Sequence, residues 1–296
     1  MVSLIQLLKE IQGGNKAIIM AGAAGSGKTT FVTGNEEKAI KGLIQAIPEL
    51  KSFKYFNPDE YIEGKKDLID PETGEKIEDV SLTKASMYID DIDVPQALEK
   101  GENFIWDTTS ANAAKMIGGK LRSKDVKGIT NTPNYSFLMV MVYAHPIVSF
   151  LSNFQRERKL PKVGVISTWN SVYGNIDAYK SKLGDNFIMY QAPTNQLYQK
   201  EIEEFNKAAS ENKIYEYLEN VISQDPEKYI STFRKSQDNL SPEEKAKKEK
   251  QAQKSAEQYK TFISQLEKEF KEISSKVEKY SIPQEEVVSK IKNFIK

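Results

Sequence analysis

Residues 17 to 30 read Ala-Ile-Ile-Met-Ala-Gly-Ala-Ala-Gly-Ser-Gly-Lys-Thr-Thr, and no other stretch narrows the choice of fold as far. A short apolar run suited to a buried strand passes into a Gly-x-x-x-x-Gly-Lys-Thr turn that opens a helix, the pattern of a P-loop. Gly22, Gly25 and Gly27 let the amides of Gly22, Ala23, Ala24, Gly25, Ser26, Gly27, Lys28, Thr29 and Thr30 turn toward phosphate oxygens. The spacing predicts that Lys28 reaches the β- and γ-phosphates and that the Thr29 hydroxyl binds Mg2+.

Downstream, apolar runs near 53–56, 103–106, 136–144 and 187–190 alternate with helical patterns near 36–46, 94–100, 111–121, 146–158 and 165–182. Alternation of this kind predicts an α/β fold with a parallel sheet covered on both faces and a site at the carboxyl ends of its strands. The polar stretch 61–92, with turn signals at Asp70-Pro71 and Thr73-Gly74, reads as an insertion carrying some helix around 81–90. Beyond about residue 195 glycine disappears and Lys, Glu and Gln dominate, so the chain divides into a domain at 1–195 and a helical extension at 196–296. Asp225-Pro226 and Ser241-Pro242-Glu243-Glu244 read as helix starts, and the second opens a pattern running to Tyr280, roughly 60 Å long at 1.5 Å per residue. Along it Tyr259, Ile263, Leu266, Phe270, Ile273, Val277 and Tyr280 form a short coiled-coil-like seam. The seam either packs on the core or offers a surface for self-association or a protein partner through 242–296. A last amphipathic helix carries Val287, Val288, Ile291 and Phe294.

Composition removes several alternatives. The 296-residue chain has no cysteine and a single histidine, His145, which excludes disulfides, thiolate metal sites and a His-based zinc centre. The absence of cysteine fits a reducing cytoplasm. Basic and acidic residues number 42 each, so only a local patch can attract nucleic acid or an anionic membrane. One such run is Lys115, Lys120, Arg122, Lys124 and Lys127. The first ten residues place apolar side chains at helical spacing, with no basic leader or long apolar run of a signal peptide or membrane anchor.

A triphosphate grip alone does not say what happens to the γ-phosphate. The strand ending Ile105-Trp106-Asp107-Thr108-Thr109 carries no Asp-Glu pair of the kind motor ATPases use to activate water, and no Asn-Lys-x-Asp guanine reader is present. What remains is transfer to an acceptor hydroxyl, which needs a carboxylate to take the proton and cations to neutralise the transferred group. Asp59, directly after the second strand in Asn57-Pro58-Asp59-Glu60, is the candidate base, with Glu60 as the alternative carboxylate. Asp107, in Asp107-Thr108-Thr109 after the third strand, is the candidate Mg2+ or substrate ligand, with Thr108 and Thr109 positioned to hydrogen-bond the acceptor. Only four of the 42 basic residues are arginine, and two of them stand together as Arg156-Glu157-Arg158. A planar guanidinium grips phosphate bidentately where lysine does not, so Arg156 and Arg158 are candidates to clamp the transferred phosphate, assisted by Lys159 and Lys162. His145, beside Pro146 at a strand end, reads as structural.

These motifs resemble the zeta-toxin-like P-loop kinases, which are similar in turn to polynucleotide 5′-hydroxyl kinases. The resemblance covers about 15–192. It rests on Gly22 to Thr29, on Asn57-Pro58-Asp59, on Asp107-Thr108-Thr109, and on Arg156 and Arg158 followed by Leu160-Pro161 and a long helix. It implies a three-layer α/β/α fold with a five-stranded parallel sheet in the order 2-3-1-4-5. It also implies Asp59 as base, Lys28 and the two arginines on ATP, and an acceptor that is either a small molecule, such as the sugar of UDP-N-acetylglucosamine, or a nucleic-acid end. Two positions depart from the family pattern. Tyr61-Ile62 stand where many relatives carry a basic residue, and the third-strand Asp-Thr-Thr resembles the Asp-Thr-Asn of polynucleotide kinases more closely than the Glu-Gly-Thr of zeta toxins.

Overall fold

In the computed structural model, which describes residues 14–35, 40–121, 124–156, 159–229 and 242–296, the most apolar run of the chain is an interior strand of a five-stranded sheet. It forms β6 (Tyr135–Tyr143), flanked by β1 (Asn15–Ala21) and β7 (Phe187–Gln191), with β3 (Phe104–Asp107) and β2 (Lys54–Phe56) beyond β1. All four pairings are parallel. Side chains of β6 alternate between two apolar clusters. Phe137, Met139, Met141 and Tyr143 enter one, and Leu138, Val140 and Val142 enter the other. A strand buried on both faces reads as continuous apolar sequence because neither side meets water.

Helices form the outer layers. α1 (Lys28–Thr33) and α2 (Leu43–Ala46) cover one face. The other face carries, in chain order, α3 (Pro58–Ile62), α4 (Leu82–Tyr88), α5 (Val94–Lys100), α6 (Ala113–Ile117), α7 (Pro146–Phe154), α8 (Lys162–Tyr173), α9 (Ile176–Leu183), α10 (Gln199–Ser210) and α11 (Ile214–Gln224). The 39-residue α12 (Pro242–Tyr280) lies along α8, and α13 (Gln284–Ile295) returns to the first face, burying Val287 and Ile291. The architecture is therefore α/β/α around a five-stranded parallel sheet.

Counted among the strands of this sheet alone, the order is 2-3-1-4-5, as expected. Numbered along the chain it is β2-β3-β1-β6-β7, because β4 (Gly119–Leu121) and β5 (Lys124–Val126) form a separate antiparallel hairpin between the third and fourth strands of the sheet. That hairpin replaces the second half of the helix expected over 111–121. Gly118 and Gly119 both take positive φ, 84° and 130°, so α6 stops at Ile117. The helix expected over 165–182 is two helices. Between them the Asn175 amide donates to the Ser171 carbonyl at 2.6 Å and the Ala111 carbonyl at 3.0 Å, competing with the helical ladder. Two helices expected near 81–90 and 94–100 are joined by one π turn, Ile89–Asp93, just ahead of Pro95, which has no N–H to continue the ladder. Of the helix expected over 36–46 only Leu43–Ala46 is helical among the described residues, and Asp225-Pro226 opens a single 3-10 turn, Pro226–Tyr229. The N-terminal helical pattern, Arg122, Arg158 and Ser241 lie outside the described residues.

The seam of the extension is taken up within the chain. Tyr259, Ile263, Leu266, Phe270, Ile273 and Val277 are all buried in the cluster that holds Trp169, Tyr173 and Phe205, and Tyr280 packs at its margin. One apolar core thus runs across residue 195. At Ser281 the chain bridges to Met189 of β7, and the Ile282 amide donates to the Met189 carbonyl at 3.0 Å, covering an open sheet edge. No helix among the described residues is long and apolar enough to cross a membrane.

Leu266 is fully buried in this interface. Its replacement by alanine is expected to cost about 2–5 kcal/mol in urea denaturation; a loss below about 1 kcal/mol would show that α12 is not part of the core.

Candidate active site at the strand ends

β1 and β3 pair with Met20 opposite Asp107, so the loop leaving β1 and the carboxylate ending β3 emerge side by side. The loop 22–27 is held from behind as well as by its own glycines. Gly25 takes φ 74°, and a Cβ there would lie 2.6 Å from the Ser149 carbonyl of α7, so only glycine fits. From α8 the buried Tyr173 hydroxyl donates to Val142 O at 2.7 Å and accepts from the amides of Ala23 and Ala144, both at 3.3 Å. One side chain thereby ties the loop to the end of β6. α1 is short, six residues closed by Gly34 N–H on Thr30 O at 2.8 Å, so the loop amides rather than a helix dipole make the cradle. Ala23, Ala24 and Ser26 are buried along it, while Thr29 is exposed at its mouth.

Lys28 folds back over the loop. Its Nζ donates to Gly22 O at 3.0 Å and Ala23 O at 3.2 Å and stands 3.9 Å from Asp107 Oδ1. Burial lowers the Lys28 ammonium below its ordinary range, opposed chiefly by the Asp107 charge. Burial likewise raises the Asp107 carboxyl, opposed by Lys28 and by hydrogen bonds from Thr29 and Tyr55.

From Asp107 a path of hydrogen bonds, one of them to a backbone amide, leads to Asp59. Asp107 Oδ2 accepts from Thr29 Oγ1 at 3.0 Å and from the Tyr55 hydroxyl at 3.2 Å. Tyr55 accepts from Asn57 Nδ2 at 3.0 Å, and Asn57 Oδ1 caps α3 by accepting the Asp59 amide at 2.9 Å. Asp59 Oδ2 then pairs with Arg156 Nη2 at 2.9 Å. Asp59 and Arg156 also lie near enough to act on the Lys28 charge. The strand ends therefore bring Lys28, Thr29, Asp107, Asp59 and Arg156 into one centre.

Other expected residues go elsewhere. Glu60 pairs with Lys66 at 2.6 Å, and Lys66 also donates to the Tyr55 carbonyl, so Glu60 is committed away from the centre. Thr108 donates its amide to Met20 O and accepts Ser110 N–H on its hydroxyl, while Thr109 is exposed beside it. Lys159 donates to Lys228 O at 3.0 Å, and Lys162 pairs with Glu219 at 2.6 Å and lies over the Tyr259 ring; both hold the extension. Of the basic run, Lys115 is paired with Asp90, and Lys120 and Lys124 lie on the β4–β5 hairpin.

Sequence reasoning missed Tyr55, Tyr173 and Asn153. Tyr55 ends one residue before the Phe56 that closes its strand and had no motif around it. Asn153 clamps the start of the arginine segment, bonding both the Leu160 carbonyl and amide at 3.1 Å. His145 is structural. It sits between Phe205 and Phe270 with Nε2 3.1 Å from Asn206 Oδ1, and burial pushes it down to about 4.

No protein-family model matches the chain, and no curated protein matches its sequence. Among solved structures it is similar to a chain in crystal structures of the AvrRxo1-ORF1:AvrRxo1-ORF2 complex. The complex with sulphate ions is 16% identical, covers 66% of this chain and 66% of its own, and has a TM-score of 0.39. The native complex gives 16%, 66%, 66% and 0.37, and the complex with ATP 14%, 92%, 79% and 0.40. The chain thus spans 66% of the length of the first of these.

Tyr173→Phe is expected to leave the Ala23 and Ala144 amides unpaired and cost about 1–3 kcal/mol of unfolding free energy; an unchanged denaturation midpoint would contradict the tie. The unfolded chain takes up the His145 proton near 6.5 and the folded one only near 4. Stability from His145 is therefore complete above about pH 6.5 and lost by about pH 4, a change of about 3 kcal/mol. His145→Gln should shrink the stability difference between about pH 7 and pH 4 by that amount, and an undiminished difference would assign it to other groups.

Proposed function

We propose that this chain is an ATP- and Mg2+-dependent phosphotransferase of the zeta-toxin-like P-loop kinase class, moving the γ-phosphate to an acceptor hydroxyl. The observation that carries the reading is the hydrogen-bonded path from Thr29 through Asp107, Tyr55 and Asn57 to the Asp59 backbone amide, together with the bond from Arg156 to the Asp59 carboxylate. It joins a phosphate cradle, a carboxylate and a guanidinium, the parts that in-line phosphoryl transfer requires.

In this reading the amides of residues 22–30 and Lys28 hold the β- and γ-phosphates. The Thr29 hydroxyl and Asp107 carboxylate, 3.0 Å apart, are hard oxygen donors of the kind Mg2+ takes alongside phosphate oxygens and water. When bound, that ion supplies positive charge against the phosphates. The acceptor O–H loses its proton to Asp59 as its oxygen forms the new bond to phosphorus and the bond to the ADP oxygen breaks. Arg156, paired with Asp59 in this structure, turns to the phosphate and frees the carboxylate for that proton. Arg158, two residues further on, is the second clamp.

A small acceptor is favoured over a nucleic-acid end because basic and acidic residues balance at 42 each, and in the basic run that could follow a phosphate backbone Lys115 is already paired with Asp90. A nucleotide sugar or another small hydroxyl compound therefore stands first and a polynucleotide end second. The apolar seam of the extension faces the core, so an assembly role through 242–296 would have to use its other faces.

γ-Labelled ATP offered with UDP-N-acetylglucosamine and, separately, with a 5′-hydroxyl oligonucleotide distinguishes the acceptors, and label on the oligonucleotide alone would reverse that order. Asp59→Asn is expected to lower transfer about 10²–10⁴-fold while ATP still binds. Transfer at the native rate in that variant would remove Asp59 from the mechanism.

A further inference from the structure

The hydrogen bonds between Asp59 and Asp107 all run one way, and their direction is set at the Asp59 end. A backbone N–H can only donate, so the Asn57 atom that meets the Asp59 amide at 2.9 Å is its oxygen, Oδ1. Nδ2 is then the atom facing Tyr55, and it too can only donate, at 3.0 Å. The Tyr55 hydroxyl therefore accepts from Asn57 and keeps its single proton for Asp107 Oδ2, 3.2 Å away. Strand register brings the two side chains within reach. Tyr55 pairs with Ile105 of β3, and Asp107 lies two residues further along that strand on the same sheet face.

Among the described residues Asp107 Oδ2 has two donors, the Thr29 and Tyr55 hydroxyls. They are not equivalent in the proposed function. The Thr29 hydroxyl is assigned to Mg2+ together with Asp107, whereas Tyr55 is given no part in holding nucleotide or ion. Tyr55 is held from behind, by the buried Asn57 and by Lys66 Nζ on its carbonyl at 2.6 Å. Two donors on one oxygen fix the plane of the carboxylate, and one donor leaves it free to turn about the Cβ–Cγ bond.

We propose that Tyr55 is the positioning residue of this site: its hydroxyl, with the proton directed by Asn57, holds the Asp107 carboxylate in the orientation that receives Mg2+. The inference rests on the phosphotransferase reading. Because Asn57 also caps the helix that carries Asp59, the same two side chains tie the ion's ligand to the candidate base.

ATP binding by the full chain, measured by isothermal titration in Mg2+ and again in excess EDTA, tests this apart from turnover; the ratio of the two affinities is the ion's contribution. Tyr55→Phe is expected to lower that ratio about tenfold while the affinity in EDTA stays within about twofold, since the cradle amides and Lys28 are untouched. Damage to packing alone would lower both affinities together and leave the ratio as it was. Asn57→Asp is the second variant. It keeps a capping oxygen for the Asp59 amide but meets the Tyr55 hydroxyl with an acceptor, so the phenolic proton turns away from Asp107. The ratio should fall there too, although an added negative charge by itself would draw Mg2+ more strongly. A ratio near one in the native chain, or the native ratio in either variant, would overturn the proposal. A native chain that binds no ATP removes the phosphotransferase reading and this inference together, whereas native binding with an undiminished ratio in the variants removes this inference alone.

Discussion

Lys28 and Asp107 face each other 3.9 Å apart with side chains only 12% and 6% exposed, and the rest of the structure is arranged so that two charges can stay there. Taking a lone ammonium or carboxylate out of water costs several kcal/mol, and a 3.9 Å contact alone does not return it. The remainder comes from fixed dipoles. Two loop carbonyls face Lys28, and the Thr29 and Tyr55 hydroxyls face Asp107. Those dipoles exist only while β1, β2 and β3 keep their register, so the pair couples the sheet to the site. A pair of this kind is a poor source of stability and a good place to receive a polyanion, because an arriving phosphate replaces carbonyl oxygens around a cation already desolvated.

The outer helices keep that register. Tyr173 reaches from α8 to the loop and to β6, and α8 is itself pinned by α12 through Trp169, Phe270 and the Asn170 amide. The extension is thus the outer layer of the same core, and its final helix completes the opposite layer over β1 and β6. Loosening the seam at Phe270 would be felt at the loop through two packed side chains rather than through a distant signal.

Much of the frame was legible because it depends on local chemistry. A glycine pattern that needs positive φ and apolar runs too continuous for a one-sided strand each carry their structure with them. Asp59 and Asp107 were found because a carboxylate ending a parallel strand must emerge beside its neighbours. What stayed hidden depends on distant partners. Nothing near Tyr55 or Tyr173 marks the residues 52 and 150 positions away that their hydroxyls meet. The seam on α12 reads equally well as a dimer surface, since a stripe of apolar side chains does not say which apolar surface will cover it. The β4–β5 hairpin was misread because Ala-Lys-Met-Ile begins as a helix, and only the two glycines that follow turn it aside.

The proposed function requires that the Lys28–Asp107 pair receive a magnesium-bound triphosphate rather than stabilise the empty protein. Thermal unfolding of the native chain and of the double variant Lys28→Met, Asp107→Asn, each with and without Mg2+ and ATP, addresses it directly. The native chain should gain about 2.7 kcal/mol at ATP near one hundred times its Kd. The double variant should be at least as stable as the native chain when empty, and should gain nothing from the nucleotide. A native chain whose unfolding ATP does not shift, or a double variant that shifts as far, would contradict the account.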